Sequence, residues 1–240
     1  MTNTLLITKR DLGAYATGLS SWFILASLLA LQGLFFWALA LTGEAYSHEV
    51  LRAFFTNNWG FAVVASVLVT MRSMAEERRD GTDVLLTTST ATDAQVVLGK
   101  WLAAMTVLTV FTALSVYLPA LVYVNGKVSM GHLFAGYLGV LATVGATSAI
   151  GIFGSSLVRS QLFAGLITAI VVVTLIIAWM LADATEAPFN EAIAYAALFN
   201  QHYEGFSEGR IAASGLVYYA SLTVGFLWLA TRVNEGRRWE

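Results

Sequence analysis

The chain is poor in charge. Only 12% of its 240 residues are Asp, Glu, Lys or Arg, against 58% hydrophobic. A soluble domain carries about a quarter charged residues, and half that fraction leaves too little polar surface to hold a globule in water. The remaining solvent is lipid, in keeping with a mean hydropathy of +0.71. There is no cysteine, which excludes disulfides and thiolate metal sites and says little about compartment. A net charge of −2 supplies no basic field for nucleic acid. Residues Met1 to Asp11 lack the apolar core and small-residue cleavage site of a signal peptide, whereas the run that follows is long enough to span and stay. Strict period-2 alternation, which a β-barrel strand would show, is missing from runs such as Phe163–Trp179.

What is present is a series of long apolar runs. A bilayer core of roughly 30 Å needs about 20 mostly apolar helical residues, and six stretches fit: Ser21–Leu41, Gly60–Met74, Val96–Tyr123, Leu133–Val158, Gln161–Leu181 and Gly215–Val233. The second is the shortest, and becomes adequate if its helix starts at Asn58 and Arg72 snorkels to the interface. With the N-terminus in the cytoplasm, ten Lys and Arg fall inside (Lys9, Arg10, Arg72, Arg78, Arg79, Lys100, Arg159, Arg232, Arg237, Arg238). Three fall outside (Arg52, Lys127, Arg210). That bias predicts both termini inside. The acidic residues split almost evenly, so the effect belongs to Lys and Arg alone.

The connections are uneven. Thr42 to Asn57 reads as a short polar outer loop, Asn125-Gly126-Lys127 as a tight outer turn, and Val158-Arg159-Ser160 as a link so brief that spans four and five must be antiparallel neighbours. Two connections are longer: Ser73 to Val96 inside and Ala182 to Ser214 outside. Neither is large enough for a core of its own, so the chain is expected to be one domain over 1–240. Within the outer segment, the apolar run from Glu191 to Phe199 is too short to span and reads as a re-entrant or interfacial helix. His202, Glu204 and Glu208 lie close together there and read as a hydrated face, not a metal site.

Further absences bear on function. No ionisable residue occupies the middle of a span, which argues against ion-coupled carriers and membrane-embedded hydrolases. Gln32 and the scattered Ser, Thr and Tyr of the spans read as helix-to-helix and backbone hydrogen bonds. No GxxxxGK[ST] phosphate loop occurs, and Gly99-Lys100 has no cradle before it. The chain is therefore expected to be no ATPase and no enzyme, and any transport would draw its energy from a separate subunit. Span four is studded with small residues (Gly136, Gly139, Ala142, Gly145, Ala149, Gly151, Gly154), which predicts a closely packed seam, either within the chain or between subunits.

The segment from Met71 to Leu102 is the most distinctive. Span two should continue to about Asp80, with Gly81 as its C-cap glycine. Thr82 then caps a short turn through Val84, Leu85 and Leu86, and Thr92 with Gln95 forms a capping box that starts span three. A charged knob beside exposed apolar residues is a docking surface or, equally, an interfacial anchor.

Several motifs in order carry a resemblance to a known family. Arg72, Ser73, Ala75, Glu76, Glu77, Arg78, Arg79, Gly81, Thr82, Leu85 and Leu86, followed by Val97, Gly99 and Lys100, are similar to the signature of ABC-2 type permeases. The likeness is to the gliding-motility-associated (GldF-like) and NosY-like subfamily. Thr90 stands where that family has proline. The opening Lys9-Arg10-Asp11-Leu12 with Tyr15, the link Ser155 to Gln161, His202 to Phe206 and the ending Arg232 to Trp239 resemble the family as well. The resemblance implies an all-α fold of the type V exporter kind, with an interfacial N-terminal helix (1–20), a cytoplasmic coupling loop (73–95) and an outer segment (182–214). It implies a multi-pass permease of the bacterial inner membrane, paired with a second permease, identical or related. That permease works with ABC ATPase subunits, which hold ATP and Mg while this chain holds no cofactor. The cargo would be lipid-like, polymeric or protein-linked, and gliding motility is one setting. The alternative is a scaffold that transmits force to a periplasmic or envelope protein. Coupling would fall on Lys9, Arg10, Arg72, Glu76, Glu77, Arg78, Arg79, Gly81, Thr82, Leu85 and Leu86. With Glu76, Glu77, Arg78 and Arg79 as docking charges, reversal at Glu77 and Arg78 is expected to uncouple the ATPase without unfolding.

Overall fold

The computed structural model describes residues 3–40, 46–83, 89–125, 128–186 and 189–237. Among the described residues all regular secondary structure is helical, in the order α1 (Asn3–Thr17), α2 (Leu19–Ala40), α3 (Ser47–Thr70), α4 (Ala75–Arg79), α5 (Asp93–Leu114), α6 (Tyr117–Asn125), α7 (Met130–Leu157), α8 (Gln161–Asp183), α9 (Phe189–Tyr195), α10 (Glu204–Ser207) and α11 (Ala213–Arg237). Six stretches are long and apolar enough to cross a membrane: Leu19–Ala38, Ser47–Arg79, Asp93–Val124, Met130–Leu157, Gln161–Asp183 and Ala213–Arg237.

Three boundaries differ from those read off the sequence, each for a local reason. The expected loop Thr42–Asn57 is helix from Ser47 onward. Val50, Leu51, Phe54 and Phe55 recur at helical spacing and are buried, so packing draws the polar residues between them into the helix. The second span does not run unbroken to Asp80. Its helix stops at Thr70 and restarts as α4 at Ala75. Ser155 of α7 holds that break, because its Oγ accepts the Met74 and Ala75 N–H groups, both at 2.9 Å, and donates to Met71 O at 3.3 Å. One hydroxyl thus serves three backbone groups that an unbroken helix would pair internally. Gly81 follows with φ of 70° and ends α4, the left-handed position a C-cap glycine supplies. The third span breaks between α5 and α6. There the Pro119 ring has no N–H for Ser115 O and crowds it, and Ser115 Oγ turns back to Thr112 O at 2.7 Å. The capping box at its start does form, with Gln95 N–H to Thr92 Oγ1 at 3.3 Å and Thr92 N–H to Gln95 Oε1 at 3.2 Å. The turn at Asn125-Gly126-Lys127 lies largely outside the described residues.

α7 is the axis of the bundle, buried through most of its length. Its small residues form intrachain seams. A Cβ on Gly136 would overlap the Phe55 ring of α3, one on Gly151 the Thr70 side chain, and one on Gly154 the Thr168 hydroxyl of α8. At Gly139 it would lie 2.5 Å from Phe206 Cβ in α10. Each glycine lets a different neighbour approach, which is how helices pack tightly where lipid supplies no hydrophobic drive between them. Polar links reinforce the contacts: Ser66 donates to Thr147 Oγ1 at 2.8 Å, and Trp101 Nε1 donates to Gly145 O at 3.1 Å. Gln32 Nε2 donates to Asn58 Oδ1 at 2.8 Å, tying α2 to α3 in the apolar interior.

α1 crosses the start of α5 where Gly99 permits it. A Cβ there would meet Ile7 at 2.9 Å, and Thr8 Oγ1 donates to Gly99 O at 3.1 Å. At the opposite end of the bundle the segment after α8 folds back along it, and Leu198 N–H donates to Leu175 O, two turns inside the helix, at 3.0 Å. Tyr203, Tyr218 and Tyr219 hold this segment through their hydroxyls, which donate to Phe55 O at 2.9 Å, Ala196 O at 2.6 Å and Leu198 O at 2.5 Å. His202 is not part of a hydrated face. Its ring is 2% exposed and stacks on Tyr218 at 3.7 Å, while Glu204 and Glu208 turn away to Arg52 at 2.9 and 3.2 Å.

Candidate functional site

The charged residues of the α1 end converge on one lysine. Lys100 lies two turns into α5 and is 2% exposed. Its Nζ donates to Glu77 Oε2 at 2.7 Å, to Asp11 Oδ2 at 3.2 Å and to Ser73 O at 2.8 Å. Arg10 closes the network, with one nitrogen reaching both Asp11 Oδ1, at 2.7 Å, and Glu77 Oε1. A buried ammonium is tolerated only when its three N–H groups find acceptors and its charge finds a partner. Here all three do, and the acceptors come from α1, the α3–α4 break and α4. The hub therefore ties the N-terminal helix, the short helix α4 and the third span into one unit.

A cleft of about 220 Å³ opens beside it, lined among others by Asp11, Tyr15, Arg72, Glu76, Glu77 and Lys100. Arg72 forms an i,i+4 pair with Glu76 at 3.1 Å and donates to Ser20 Oγ at 2.8 Å, joining the break to the start of α2. Tyr15 donates to Val69 O at 3.0 Å. Burial, with Asp11 nearby, pushes its phenol well above the ordinary range, so it acts as a fixed donor.

Arg78 leaves α4 on the other side. It donates to Ser156 O and, at 2.6 Å, to Asn234 Oδ1 of α11. Arg237 donates to Leu157 O at 2.6 Å. α4 is thereby clamped to the α7–α8 junction and to α11, as well as to α1 and α5.

The residues expected to dock a partner divide into inward and outward sets. Glu77 and Arg78 are half-buried and tied within the chain, Glu77 to Lys100 and Arg10 and Arg78 to Ser156 O and Asn234 Oδ1. Reversing either would strand a buried partner, so that change is not a clean test of docking. Arg72 and Glu76 border the cleft, and Arg10 is exposed beside it while bridging Asp11 and Glu77. Lys9, Arg79, Gly81 and Thr82 are exposed, and Arg79 pairs with its neighbour Asp80, at 3.0 Å. Leu85 and Leu86 lie outside the described residues. Missing from the expected set were Asp11, Lys100, Ser155 and Asn234. All four stood within quoted motifs, but nothing in a linear pattern says that Asp11 and Lys100 meet. Among the described residues no group of three His, Asp or Glu is placed to hold a metal ion.

Among the described residues every regular element is helical and six stretches are long and apolar enough to cross a membrane, with a charged hub at one end, which is the class of a multi-pass membrane protein. The family model described as ABC-2 family transporter protein matches residues 46–201, and the chain belongs to that family. It is thus the membrane permease of an ABC transporter, of a family whose members work with separate ABC ATPase subunits. The match covers Glu77 and Lys100, while Arg10, Asp11 and Asn234 lie beyond it. No curated protein matches the chain.

Proposed function

We propose that this permease is the membrane half of an exporter in which a separate ATPase moves the bundle through α1 and α4. Both termini, α1 and α4 lie in the cytoplasm of a bacterial inner-membrane assembly, and the 182–214 segment lies outside. The single observation that carries this reading is the Lys100 hub. A push on α4 reaches α1 through Glu77 and Arg10, α5 through Lys100, α7 through Ser155, and α11 through Arg78 and Asn234. The exposed groups Lys9, Arg79, Asp80, Gly81 and Thr82 face the ATPase, and the sequence motif adds Leu85 and Leu86 to the coupling set. The chain contributes no catalytic group, and ATP with Mg resides on the partner. Two permeases, alike or related, form the conduit, and the sequence motifs favour the GldF-like and NosY-like branch, with a lipid-like, polymeric or protein-linked cargo and gliding motility as one setting. A force-transmitting role is favoured by α9, which packs along α8 with no residue buried and so presents surface to an extracytoplasmic partner.

The test begins with a Walker-motif ATPase encoded beside this chain, co-expressed and purified with it. Stable association, ATPase activity stimulated by the permease, and crosslinking from Arg79→Cys to the ATPase are expected, the natural chain having no cysteine of its own. Arg79→Glu with Asp80→Lys should lower stimulation at unchanged thermal stability. Failure of any such ATPase to bind overturns the reading. Accumulation of cargo in inverted vesicles distinguishes export from force transmission.

A further inference from the structure

One face of α3 is open although half of the helix's residues are buried. Arg52, Thr56, Gly60 and Val64 recur every four residues and so form a single stripe. Arg52, Thr56 and Val64 are exposed. Twelve residues at 1.5 Å each give about 18 Å, roughly half the thickness of a bilayer's hydrocarbon core. Thr56, Gly60 and Val64 floor an open groove of about 520 Å³, and Arg52 stands one turn beyond them on the same face. Its walls are aromatic: Phe35 of α2 stands edge-on to Phe61 at 5.5 Å on one side, and Trp59 to Phe199 at 5.0 Å on the other. A Cβ on Gly60 would meet nothing within 4 Å, so the floor is open at its middle. Polarity is graded along this face, from Arg52 beyond the groove through Thr56 and Asn57 to Gly60, Phe61 and Val64 within it.

The charges around Arg52, one turn of helix beyond the groove, alternate. Arg52 Nη2 pairs with Glu204 Oε1 at 2.9 Å and Glu208 Oε1 at 3.2 Å, and Glu208 is shared with Arg210. These four charges sum to zero while presenting cation and carboxylate side by side. A simple anion would meet as much repulsion as attraction there. A dipolar headgroup with a phosphate and a primary ammonium matches both signs, and the ammonium donates hydrogen bonds that a quaternary amine lacks.

We propose that this groove is a binding site for one phosphatidylethanolamine-type lipid, drawn from the leaflet opposite the Lys100 hub. An acyl chain lies along Gly60, Phe61 and Val64, the phosphate meets Arg52, and the ammonium meets Glu204. The site requires only that the bundle crosses a bilayer, and it stands whether or not the chain is driven by an ATPase.

The full-length chain in phosphatidylcholine nanodiscs, doped with a phosphatidylethanolamine carrying a diazirine in its acyl chain, is irradiated and its labelled peptides mapped. Labelling should concentrate on the peptides holding Gly60–Val64 and Phe199, above the lipid-facing residues Leu166, Ile170 and Val173 of α8. Unlabelled phosphatidylethanolamine should displace the probe about tenfold better than phosphatidylglycerol, the equivalent of one charge-assisted hydrogen bond. Gly60→Leu, whose Cβ would meet no protein atom within 4 Å, should remove the excess labelling, and so should Val64→Trp if the first variant misfolds. Even labelling across α3 and α8, or labelling unchanged in both variants, overturns the site. Equal competition by phosphatidylglycerol overturns the proposed lipid class. Disulfide-linked dimers from Gly60→Cys would show that a second copy fills the groove, and would overturn the proposal as well.

Discussion

Replacing Lys100 with methionine removes the ammonium and keeps most of the side-chain volume. The lost interactions are two ion pairs, at 2.7 and 3.2 Å, and the hydrogen bond to Ser73 O. Removing one partner of a buried pair costs about 3–5 kcal/mol, chiefly because the other charge is stranded. Here the stranded carboxylates keep some solvent, with Asp11 13% and Glu77 21% exposed, and Arg10 still bridges them. The cost therefore falls to about 2–3 kcal/mol, which for a domain of this length lowers the melting temperature by about 4–12 °C. Heating detergent-purified protein and following the surviving monodisperse fraction by size exclusion measures the shift. The network adds a sharper requirement. With Glu77→Gln already present, Lys100→Met should cost less, giving a coupling energy of about 1–3 kcal/mol. A shift below about 1 °C in the single variant, or additivity within about 0.5 kcal/mol in the cycle, would refute the hub.

Ser155→Ala leaves the Met74 and Ala75 N–H groups buried without an acceptor, and should cost about 1–3 kcal/mol. It should also raise amide exchange in α4 with little change elsewhere, and uniform exchange would count against the staple. Gly151→Ala forces a methyl into the Thr70 side chain and should destabilise by about 1–3 kcal/mol. Gly225→Ala meets nothing within 4 Å and should be neutral or stabilising by up to about 1 kcal/mol, so equal melting temperatures for the two would contradict the packing. His202 donates from Nε2 to Tyr195 O at 2.9 Å, and burial pushes its imidazole below the ordinary value. The unfolded chain then binds the proton first, so stability falls as pH drops below about 6.5, by at most about 1.4 kcal/mol per unit. His202→Phe keeps the stack on Tyr218 and should flatten the melting profile between pH 7.5 and 5.5 relative to the parent, whereas an unchanged slope would acquit His202.

Much of this protein is determined by composition and spacing alone. Scarcity of charge places it in lipid, and the length of each apolar run yields six potential spans, because a helix in hydrocarbon must satisfy its own backbone. Capping chemistry is equally local: Thr92 with Gln95 starts α5, and Gly81 ends α4, whatever surrounds them. The family was legible because its motifs are local too. The tertiary structure decided what these elements do to each other. Whether the glycines of α7 faced a second subunit or their own chain turned on Phe55, Thr70, Thr168 and Phe206, distant residues that fill the gaps. The break after Thr70 depends on Ser155, some eighty residues away, since a hydroxyl is an alternative partner for the backbone only when folding delivers it. Glu77 and Arg78 looked like surface charges because a charge run usually is one. They are ties within the chain because Lys100 and Asn234 arrive beside them, and a charge seeks the nearest partner in space, not in sequence.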